Sequence, residues 1–406
     1  MKRSNVICVH IGARAHYLIP QALQEKGNLH TLITDTWVGA GWLRQLLSRL
    51  PLTVFKSLAG RYNASIPADR VSSFGLRFLL FEFYLRVKYS YSWDLTLARD
   101  QKFELEAFNK ITKIQGAEIV LGISYTSLQC FKAAKKRGLK TILFQVDPGI
   151  EEENLVAACV EKYSQTTSWE RAPKQYWEQW KAECELADTI FVNSQWSKKG
   201  LIKQGVDETK IQIVPLPYNI QEKHRQFKKI YPVQFTEERP LRCLFLGTLA
   251  LRKGIHVVIE AAKALQGLPI EFIFVGRNEI NEADFQCTNI YYKGIVSREE
   301  TDKCYQEADV FLFPTFSDGF GLTQLEAMAW QLPIIASTHC GSVVQEALNG
   351  WLLKHIEAEE IEYILKTILE NPVLLKKYAS NCLARAEEFN TERFAEELDR
   401  LLVASC

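Results

Sequence analysis

The chain has 406 residues, of which 47% are hydrophobic and 24% charged, a globular composition that excludes wholesale disorder. This length exceeds what one hydrophobic core commonly organises, so we expect two domains. The 49 Lys and Arg residues balance 48 Asp and Glu residues, which argues against nucleic-acid binding through bulk charge.

The ten cysteines stand singly, without a CxxC pair or a Cys/His ligand spacing. The sequence therefore predicts neither a zinc site nor a disulfide framework, and it favours a reducing compartment. No secretory apolar segment follows Met1, and no apolar stretch of about 18 residues is present. We expect a cytoplasmic location.

The first part of the chain alternates short apolar runs with helical patterns, beginning with a strand at 6–10 that ends just before Gly12. Such alternation predicts a parallel sheet covered by helices on both faces. The further elements predicted here are a helix at 17–26, strands at 29–34, 119–123, 141–146 and 189–192, and helices at 128–137, 172–186 and 195–204.

Residues 37–93 show no clear alternation of strand and helix. Between 41 and 90, eight Lys or Arg residues face two Asp or Glu residues, a net charge of +6, and Trp42, Phe55, Phe78 and Phe81 lie among them. One interpretation is helices that pack on the core with solvated arginines. The other is contact with an anionic membrane surface, which basic amphipathic helices with aromatic residues favour.

A segment rich in Pro, Lys and Gln at 219–240 predicts a linker. It separates an N-terminal domain, 1–218, from a C-terminal domain, 241–385, and we expect the last helix, within 386–406, to pack back on the first domain. The second series comprises strands at 242–246, 271–275, 290–292, 310–313 and 333–336, and helices at 256–266, 299–307 and 322–330. Two Rossmann-like units in tandem place a ligand cleft between the carboxyl ends of their strands.

The densest motif begins with a strand that ends at Pro314, followed by Asp318-Gly319-Phe320-Gly321 and a helix that carries Glu326. Backbone amides at such a helix start suit an anion such as a diphosphate. The glycines allow a ligand to approach closely. Two carboxylates beside this helix start suit the vicinal hydroxyls of a sugar or a ribose.

Two further strand ends carry cations. Gly247 is followed by Arg252-Lys253-Gly254, and Gly276 is followed by Arg277. Adjacent cations at a strand-to-helix loop suit a phosphate leaving group, because they stabilise developing negative charge. Each pattern is common when it stands alone.

Together, in order and spacing, these pieces resemble family 4 of the retaining, nucleotide-sugar-dependent glycosyltransferases, which have the GT-B fold. The resemblance includes Gly294-Ile295-Val296 and Ala308-Asp309-Val310, and it is strongest over 190–350. It implies an α/β protein with two Rossmann-like domains facing each other across a cleft. It also implies sugar transfer from a nucleotide-sugar donor, with retention, to a glycan, lipid-linked or small-molecule acceptor.

The resemblance also implies residue roles. Lys253 and Arg252 would bind the donor diphosphate, and these two residues with Asp318 form the catalytic group. Glu326 would hold the ribose, and Asp318 with the amides of Phe320 and Gly321 would meet the donor sugar. The remaining donor-binding candidates are Gly12, Gly247, Arg277, Ile295, Val296, Gly319 and Leu322. No metal and no cofactor are implied.

The chain departs from the family pattern in three places. Asp318 stands where Glu is usual, Thr248 stands where many members have Arg, and the cleft loops of the first domain lack a His. His16 or Asp147 are the candidates for that acceptor-side position. The alternative function is a non-catalytic protein that binds sugar nucleotides through a degenerate site.

Overall fold

The computed structural model describes residues 4–39, 41–49, 55, 58–89, 92–163 and 169–404. Its first half contains a parallel sheet of seven strands in the order β3-β2-β1-β4-β5-β6-β7. The strands are β1 (Val6–Val9), β2 (Leu29–Thr34), β3 (Val71–Ser73), β4 (Ile119–Ile123), β5 (Lys140–Gln145), β6 (Thr189–Val192) and β7 (Ile211–Ile213).

Helices cover both faces of this sheet, because its central strands β1 and β4 are buried at every position and need apolar partners on each side. The helices of this half are α1 (Leu18–Glu25), α2 (Trp42–Arg49), α3 (Leu76–Lys88), α4 (Trp93–Ile111), α5 (Leu128–Lys136), α6 (Ile150–Tyr163), α7 (Lys174–Leu186) and α8 (Gln195–Lys203).

The second half contains a parallel sheet of six strands in the order β10-β9-β8-β11-β12-β13. Its strands are β8 (Leu241–Leu246), β9 (Ile270–Val275), β10 (Ile290–Gly294), β11 (Val310–Phe313), β12 (Ile334–Ser337) and β13 (Gly350–Leu353). Its helices, together with the last helix of the chain, are α9 (Glu222–Gln226), α10 (Ile255–Ala264), α11 (Arg298–Glu307), α12 (Leu322–Ala329), α13 (Ala358–Glu370), α14 (Val373–Glu387) and α15 (Thr391–Ala404).

An Ala-Asp pair precedes one strand in each sheet and fixes its start. Asp188, before β6, accepts hydrogen bonds from the backbone N–H (2.9 Å) and the hydroxyl (3.0 Å) of Thr141. Asp309, before β11, is fully buried and accepts from Arg239 through both of its oxygens, at 2.7 Å each. A buried carboxylate that is fully hydrogen-bonded fixes strand order without leaving an unpaired charge.

The segment that the sequence predicts as a linker packs on the second sheet. Its Phe235 is buried in the core of that half, and Lys229 donates to a backbone carbonyl of α11. The chain crosses between the two halves near Tyr218 and again near Phe389, and the Tyr218 N–H donates to the Phe389 carbonyl at 2.7 Å.

Helix α15 lies against the first sheet, not the second. Its buried residues Phe394, Leu398 and Leu402 join the cluster that contains Leu23 of α1. The side chain of Asn28 donates to Asp399 at 2.7 Å. The last helix thus completes the core of the N-terminal half.

Within residues 37–93 the sequence shows no clear alternation of strand and helix, and both of its interpretations involve amphipathic helices; the structure has α2, β3 and α3 there. Residues 40, 50–54, 56, 57, 90 and 91 and the side chains of Trp42, Leu43, Leu47 and Ser48 lie outside the described residues. Phe78 is buried against Phe74 and Phe103. None of the described helices is both long enough and apolar enough to cross a bilayer.

We predict that Leu398→Ala lowers the free energy of unfolding by about 2–5 kcal/mol, because it leaves a cavity under α1. Val403→Ala, which truncates a side chain that is 42% exposed on the same helix, should change it by less than about 0.5 kcal/mol. Urea unfolding of both variants measures the difference. Equal, small effects would mean that α15 is dispensable to this core.

Candidate functional site

Three loops of the second sheet meet at the carboxyl ends of β8, β9 and β11, the edge at which parallel sheets bind ligands. The loop after β8 makes a short turn at Leu251–Lys253, and α10 then begins at Gly254 with a positive φ of 75°. A Cβ on Gly254 would clash with the carbonyl of Pro314. This glycine therefore allows the Arg252-Lys253 loop to lie against the end of β11.

The loop after β11 is held by one hydrogen bond within the loop and by another to the turn that follows β12. The Asp318 carboxylate accepts from the Phe320 N–H at 3.1 Å, and the Asp318 N–H donates to the His339 carbonyl at 3.0 Å. Helix α12 begins immediately afterwards, at Gly321. The loop thus presents a helix start and a carboxylate together.

Lys253 and Asp318 form an ion pair that joins these two loops. Burial alone would raise the pKa of Asp318, but the Lys253 ammonium and the Arg252 guanidinium outweigh it and hold the pKa below its usual value. Arg252 donates to the carbonyl of Ser317 at 2.8 Å. The two predicted cations and the predicted carboxylate therefore form one connected cluster.

Glu152, at the start of α6 in the N-terminal half, faces this cluster from the other side of the cleft. Its carboxylate lies 3.6 Å from Arg252 Nη1 and accepts a hydrogen bond from the Ser317 hydroxyl at 2.8 Å. Burial raises the pKa of Glu152 to about 7, against the attraction of Arg252. The sequence analysis missed Glu152, because no local pattern marks a carboxylate whose partners, Arg252 and Ser317, lie 100 and 165 positions later.

The two halves are in close contact at Gly319. A Cβ on this glycine would clash with the carbonyl oxygen of Val146, at the end of β5. Nearby, the Trp196 indole donates to the Ser317 hydroxyl at 3.1 Å, and its ring stacks on His339 with centroids 4.0 Å apart. The predicted loop at 318–321 is therefore an interdomain contact as well as a candidate binding loop.

A cavity of about 770 Å³ lies between the two halves. On one side it is lined by Arg252, Lys253, Arg277 and Thr248, and on the other by Asp147, Glu152 and a group of aromatic side chains from α4, α7 and the loop after β4. Three of the predicted donor residues and one predicted acceptor-side residue therefore face the same space.

A second cavity of about 330 Å³ adjoins the loop at 318–321, and Lys253 lines both cavities. Asp318, Phe320, Gly321 and Leu322 line it from the second half. From the first half, the wall includes His10 and Arg14, two residues that the sequence analysis did not select. Their position directly after β1, at the carboxyl end of a parallel strand, is the signal that could have found them.

His10 is buried at the end of β1, with Nδ1 2.9 Å from the carbonyl of Gly12. Burial lowers its pKa to about 4, so the imidazole is neutral at pH 7. The Gly12 N–H donates to Asp35 at 2.9 Å, which fixes the predicted loop glycine beside this wall.

The loop that follows Gly12 is strained. Ala15, His16 and Tyr17 take successive left-handed conformations, with φ of 45°, 51° and 61°, each costing about 1–2 kcal/mol for a non-glycine residue. Backbone strain of this kind concentrates at ligand sites. The His16 side chain is exposed and does not line either cavity, but its carbonyl accepts from Asn63 at 3.0 Å.

Six predicted donor residues lie outside the lining of both cavities: Gly12, Gly247, Ile295, Val296, Gly319 and Glu326. Ile295 is 77% exposed and Val296 is half-buried. The Glu326 carboxylate accepts from the Tyr305 hydroxyl at 3.0 Å, and burial raises its pKa. Gly247, predicted with them, packs directly against Gly276 at the strand ends. The described residues bring no three His, Cys, Asp or Glu side chains together as a metal site.

Comparison with known proteins finds a family model that matches part of the chain, and solved structures that share its fold. A family model described as glycosyl transferases group 1 matches residues 226–388. An uncharacterized 41.2 kDa protein of the Klebsiella pneumoniae cps region is 23% identical over 294 residues, which cover 70% of this chain and 78% of that protein.

The amylovoran biosynthesis glycosyltransferase AmsK of Erwinia amylovora is 29% identical over 187 residues, which cover 40% of this chain and 46% of AmsK. The match therefore spans about half of that relative. The Anabaena protein HepE, whose crystal structure was solved in complex with UDP, has a TM-score of 0.63 at 15% identity, over 98% of this chain and 100% of HepE.

The chain has the GT-B fold, with two Rossmann-like domains, as the sequence predicted. The family model and the relatives support its assignment to the group 1 glycosyltransferases. The predicted roles of individual residues and the predicted absence of a metal stay predictions.

We predict that Glu152→Gln removes a pH dependence of stability. A raised carboxyl pKa means that the folded protein keeps a proton that the unfolded chain loses, so stability falls as pH rises from the usual value of 4.5 to about 7. The Tm of the variant relative to the wild type should therefore be higher at pH 8 than at pH 5. Glu161→Gln, on the exposed face of the same helix, is the control. If the Tm difference between Glu152→Gln and the wild type is the same at both pH values, the raised pKa of Glu152 is wrong.

Proposed function

We propose that this protein is a retaining glycosyltransferase that moves a sugar from a nucleotide-sugar donor to a glycan acceptor. The observation that carries the proposal is the position of Lys253. Its ammonium pairs with Asp318 and lines both cavities, so it stands where a donor diphosphate would join its sugar. The match of residues 226–388 to the group 1 glycosyltransferases supports the same assignment.

In this proposal the loops of the second half bind the donor. Lys253 and Arg252 neutralise the diphosphate as the bond to the sugar breaks, and the amides that open α12 add their partial positive charge. Asp318 accepts hydrogen bonds from hydroxyls of the donor sugar once Lys253 turns to the phosphates. Glu326 accepts from the ribose, and the backbone at 294–296 meets the base.

Retention follows if the acceptor attacks from the same face that the diphosphate leaves. A phosphate oxygen of the departing group then takes the acceptor proton, and no separate protein base is needed. This route requires the cations and the acceptor to share one space. Arg252, Lys253 and Asp147 do share the larger cavity.

The relatives suggest where the activity belongs. AmsK is named for amylovoran biosynthesis, and a Staphylococcus aureus relative, 24% identical, is named for capsular polysaccharide biosynthesis. We therefore place the protein in polysaccharide synthesis, with a cytoplasmic location. HepE was crystallised with UDP, which makes UDP the first nucleotide to test.

The alternative, a binding protein with a degenerate site, has no described feature in its favour. A thermal-shift panel of nucleoside diphosphates and nucleotide sugars tests the proposal, because a ligand that binds only the folded state raises Tm. Slow release of sugar from the stabilising donor then separates an enzyme from a binder. A panel in which no nucleotide raises Tm would overturn the proposal.

We also propose that α3 rests on an anionic membrane surface. Its residues Leu76, Leu80, Phe83, Tyr84 and Val87 form one helical stripe, and each is between 54% and 72% exposed. Isolated exposed apolar residues are common, but a continuous exposed stripe is not. Arg77, Arg86 and Lys88 lie on the same helix and are exposed, which suits anionic lipid headgroups.

We predict that Lys253→Gln lowers turnover about a hundredfold, the loss expected when one preorganised charge is removed from a leaving group. Glutamine keeps a hydrogen-bond donor for the buried Asp318 and Arg252 stays beside it, so the variant should still fold, with a Tm lowered by the loss of the ion pair. Lys263→Gln, on the exposed face of α10, is the matched control. An activity loss below threefold would mean that the phosphates are held elsewhere.

We predict that the protein cosediments with phosphatidylglycerol vesicles and not with phosphatidylcholine vesicles. The double variant Phe83→Asp/Val87→Asp should abolish binding without unfolding the protein, since both side chains are exposed. Val373→Asp, which charges a site that is 69% exposed on α14, should leave binding unchanged. Negligible wild-type binding to both vesicle types would rule out the membrane contact.

A further inference from the structure

We infer that the N-terminal side of the larger cavity binds an uncharged pyranose at the reacting end of the acceptor, and discriminates against acceptors with a carboxylate or phosphate there. The inference rests on the proposed function, because it concerns the acceptor of that reaction. It names a substrate class that the sequence motifs leave open.

Four aromatic residues form what we call the aromatic wall of the cavity: Trp93, Tyr125, Tyr176 and Trp177. The rings of Tyr125 and Tyr176 stack with centroids 4.9 Å apart, and Tyr176 also contacts Trp93 at 5.0 Å and Trp177 at 5.1 Å. All four side chains are half-buried, so part of each remains accessible. The C–H faces of a pyranose are apolar and pack against such rings.

The aromatic wall is held rigidly from behind. Tyr125 has a left-handed backbone, with φ of 76°, and its N–H donates to the buried carboxylate of Glu183 at 2.7 Å. The other Glu183 oxygen accepts from the Ser127 N–H, also at 2.7 Å. The indole of Trp177 donates to Glu153 at 3.0 Å. A strained residue fixed by buried hydrogen bonds at a cavity mouth points to a ligand.

The charged groups that the N-terminal half contributes to the described lining are all carboxyl groups, although Glu153 lies 3.7 Å from Arg171 outside it. Asp147, Glu152, Glu153 and Glu170 line it from the N-terminal half, and among the described residues that half contributes no Lys or Arg to the lining. The cations of the lining come from the C-terminal half, and each pairs with a carboxylate, as Arg277 does with Glu279. An anionic acceptor group would therefore meet repulsion here, whereas sugar hydroxyls would find acceptors.

Asp147 is the carboxylate best placed to receive such a hydroxyl. One of its oxygens accepts from the Tyr125 hydroxyl, from Gln145 at 3.0 Å and from the Gly149 N–H at 2.8 Å. The other oxygen, Oδ2, makes no hydrogen bond within the described part of the chain. The first set of bonds fixes the side chain, and the second oxygen is left to bind the acceptor.

Matched pairs of simple glycosides test the inference. Binding of methyl β-D-glucopyranoside and methyl β-D-galactopyranoside to the full chain, saturated with the nucleoside diphosphate that raises Tm most, is compared with binding of the corresponding methyl uronides. Tryptophan fluorescence gives the dissociation constants. We expect at least one neutral glycoside to bind at least tenfold more tightly than its uronide.

Substitutions in the cavity test which side chains bind the glycoside and which discriminate against the uronide. Tyr176→Leu should weaken neutral glycoside binding about three- to tenfold, the loss expected for one aromatic contact, and Tyr363→Leu, on a side chain 72% exposed on α13, should not. Asp147→Asn keeps a hydrogen-bond acceptor at Oδ1 and removes the negative charge. The ratio of the uronide dissociation constant to that of the neutral glycoside should therefore decrease.

Uronides that bind as tightly as their neutral partners, or neutral glycosides that fail to bind, would overturn the inference. Unchanged selectivity in Asp147→Asn together with unchanged affinity in Tyr176→Leu would do the same. A nucleoside diphosphate that still raises Tm in these cases would leave the proposed function standing. If no nucleotide raises Tm, the proposed function itself fails, and the glycosides are then measured on the unliganded chain.

Discussion

The contact between Gly319 and Val146 is the constraint on which the rest of the site depends. Because residue 319 has no side chain, the loop after β11 can approach the end of β5 closely enough for Ser317 to reach both Glu152 and Trp196. A larger residue would separate the two sheets at this point. The cavities between the halves, and the contact of Glu152 with Arg252 across the cleft, depend on that approach.

The cation cluster is balanced by carboxylates supplied by both halves. Asp318 pairs with Lys253 from within the same half, whereas Glu152 reaches Arg252 across the cleft. A site that binds a diphosphate gains from such pairing, because buried cations without partners would repel one another and destabilise the fold. A diphosphate that binds these cations must displace the carboxylates. Its binding is therefore weaker by the free energy of the ion pairs that it breaks.

The sequence predicted most strands of both sheets and the loops at their carboxyl ends, because β-strand periodicity and Gly-rich strand ends are local signals. It missed the helices α4, α6, α9, α13 and α14 and the short edge strands β3, β7 and β13. Resemblance to a family selected Lys253, Asp318 and Arg277, which line the cavities, whereas their roles stay predictions. It did not distinguish them from Ile295, which the fold leaves exposed.

The residues that sequence reasoning could not find depend on contacts distant in the chain. Glu152 matters through Ser317 and Arg252, and Tyr125 matters through Glu183. Carboxylates at helix starts are common, so nothing local separates these from ordinary ones. The left-handed turn at Ala15–Tyr17 is equally silent in sequence, since none of its residues is glycine or asparagine.

The two crossings between the halves, joined by the hydrogen bond from Tyr218 to Phe389, have a mechanical consequence. Two adjacent connecting segments can act together as a hinge. Rotation of the halves about the line through both segments leaves the length of each segment unchanged, whereas rotation about another axis stretches one of them. We therefore expect any opening of the cleft to be a rotation about these two segments and not a shear. Such a rotation would keep the donor and acceptor walls in register, so that a substrate would meet the same pairs of residues each time.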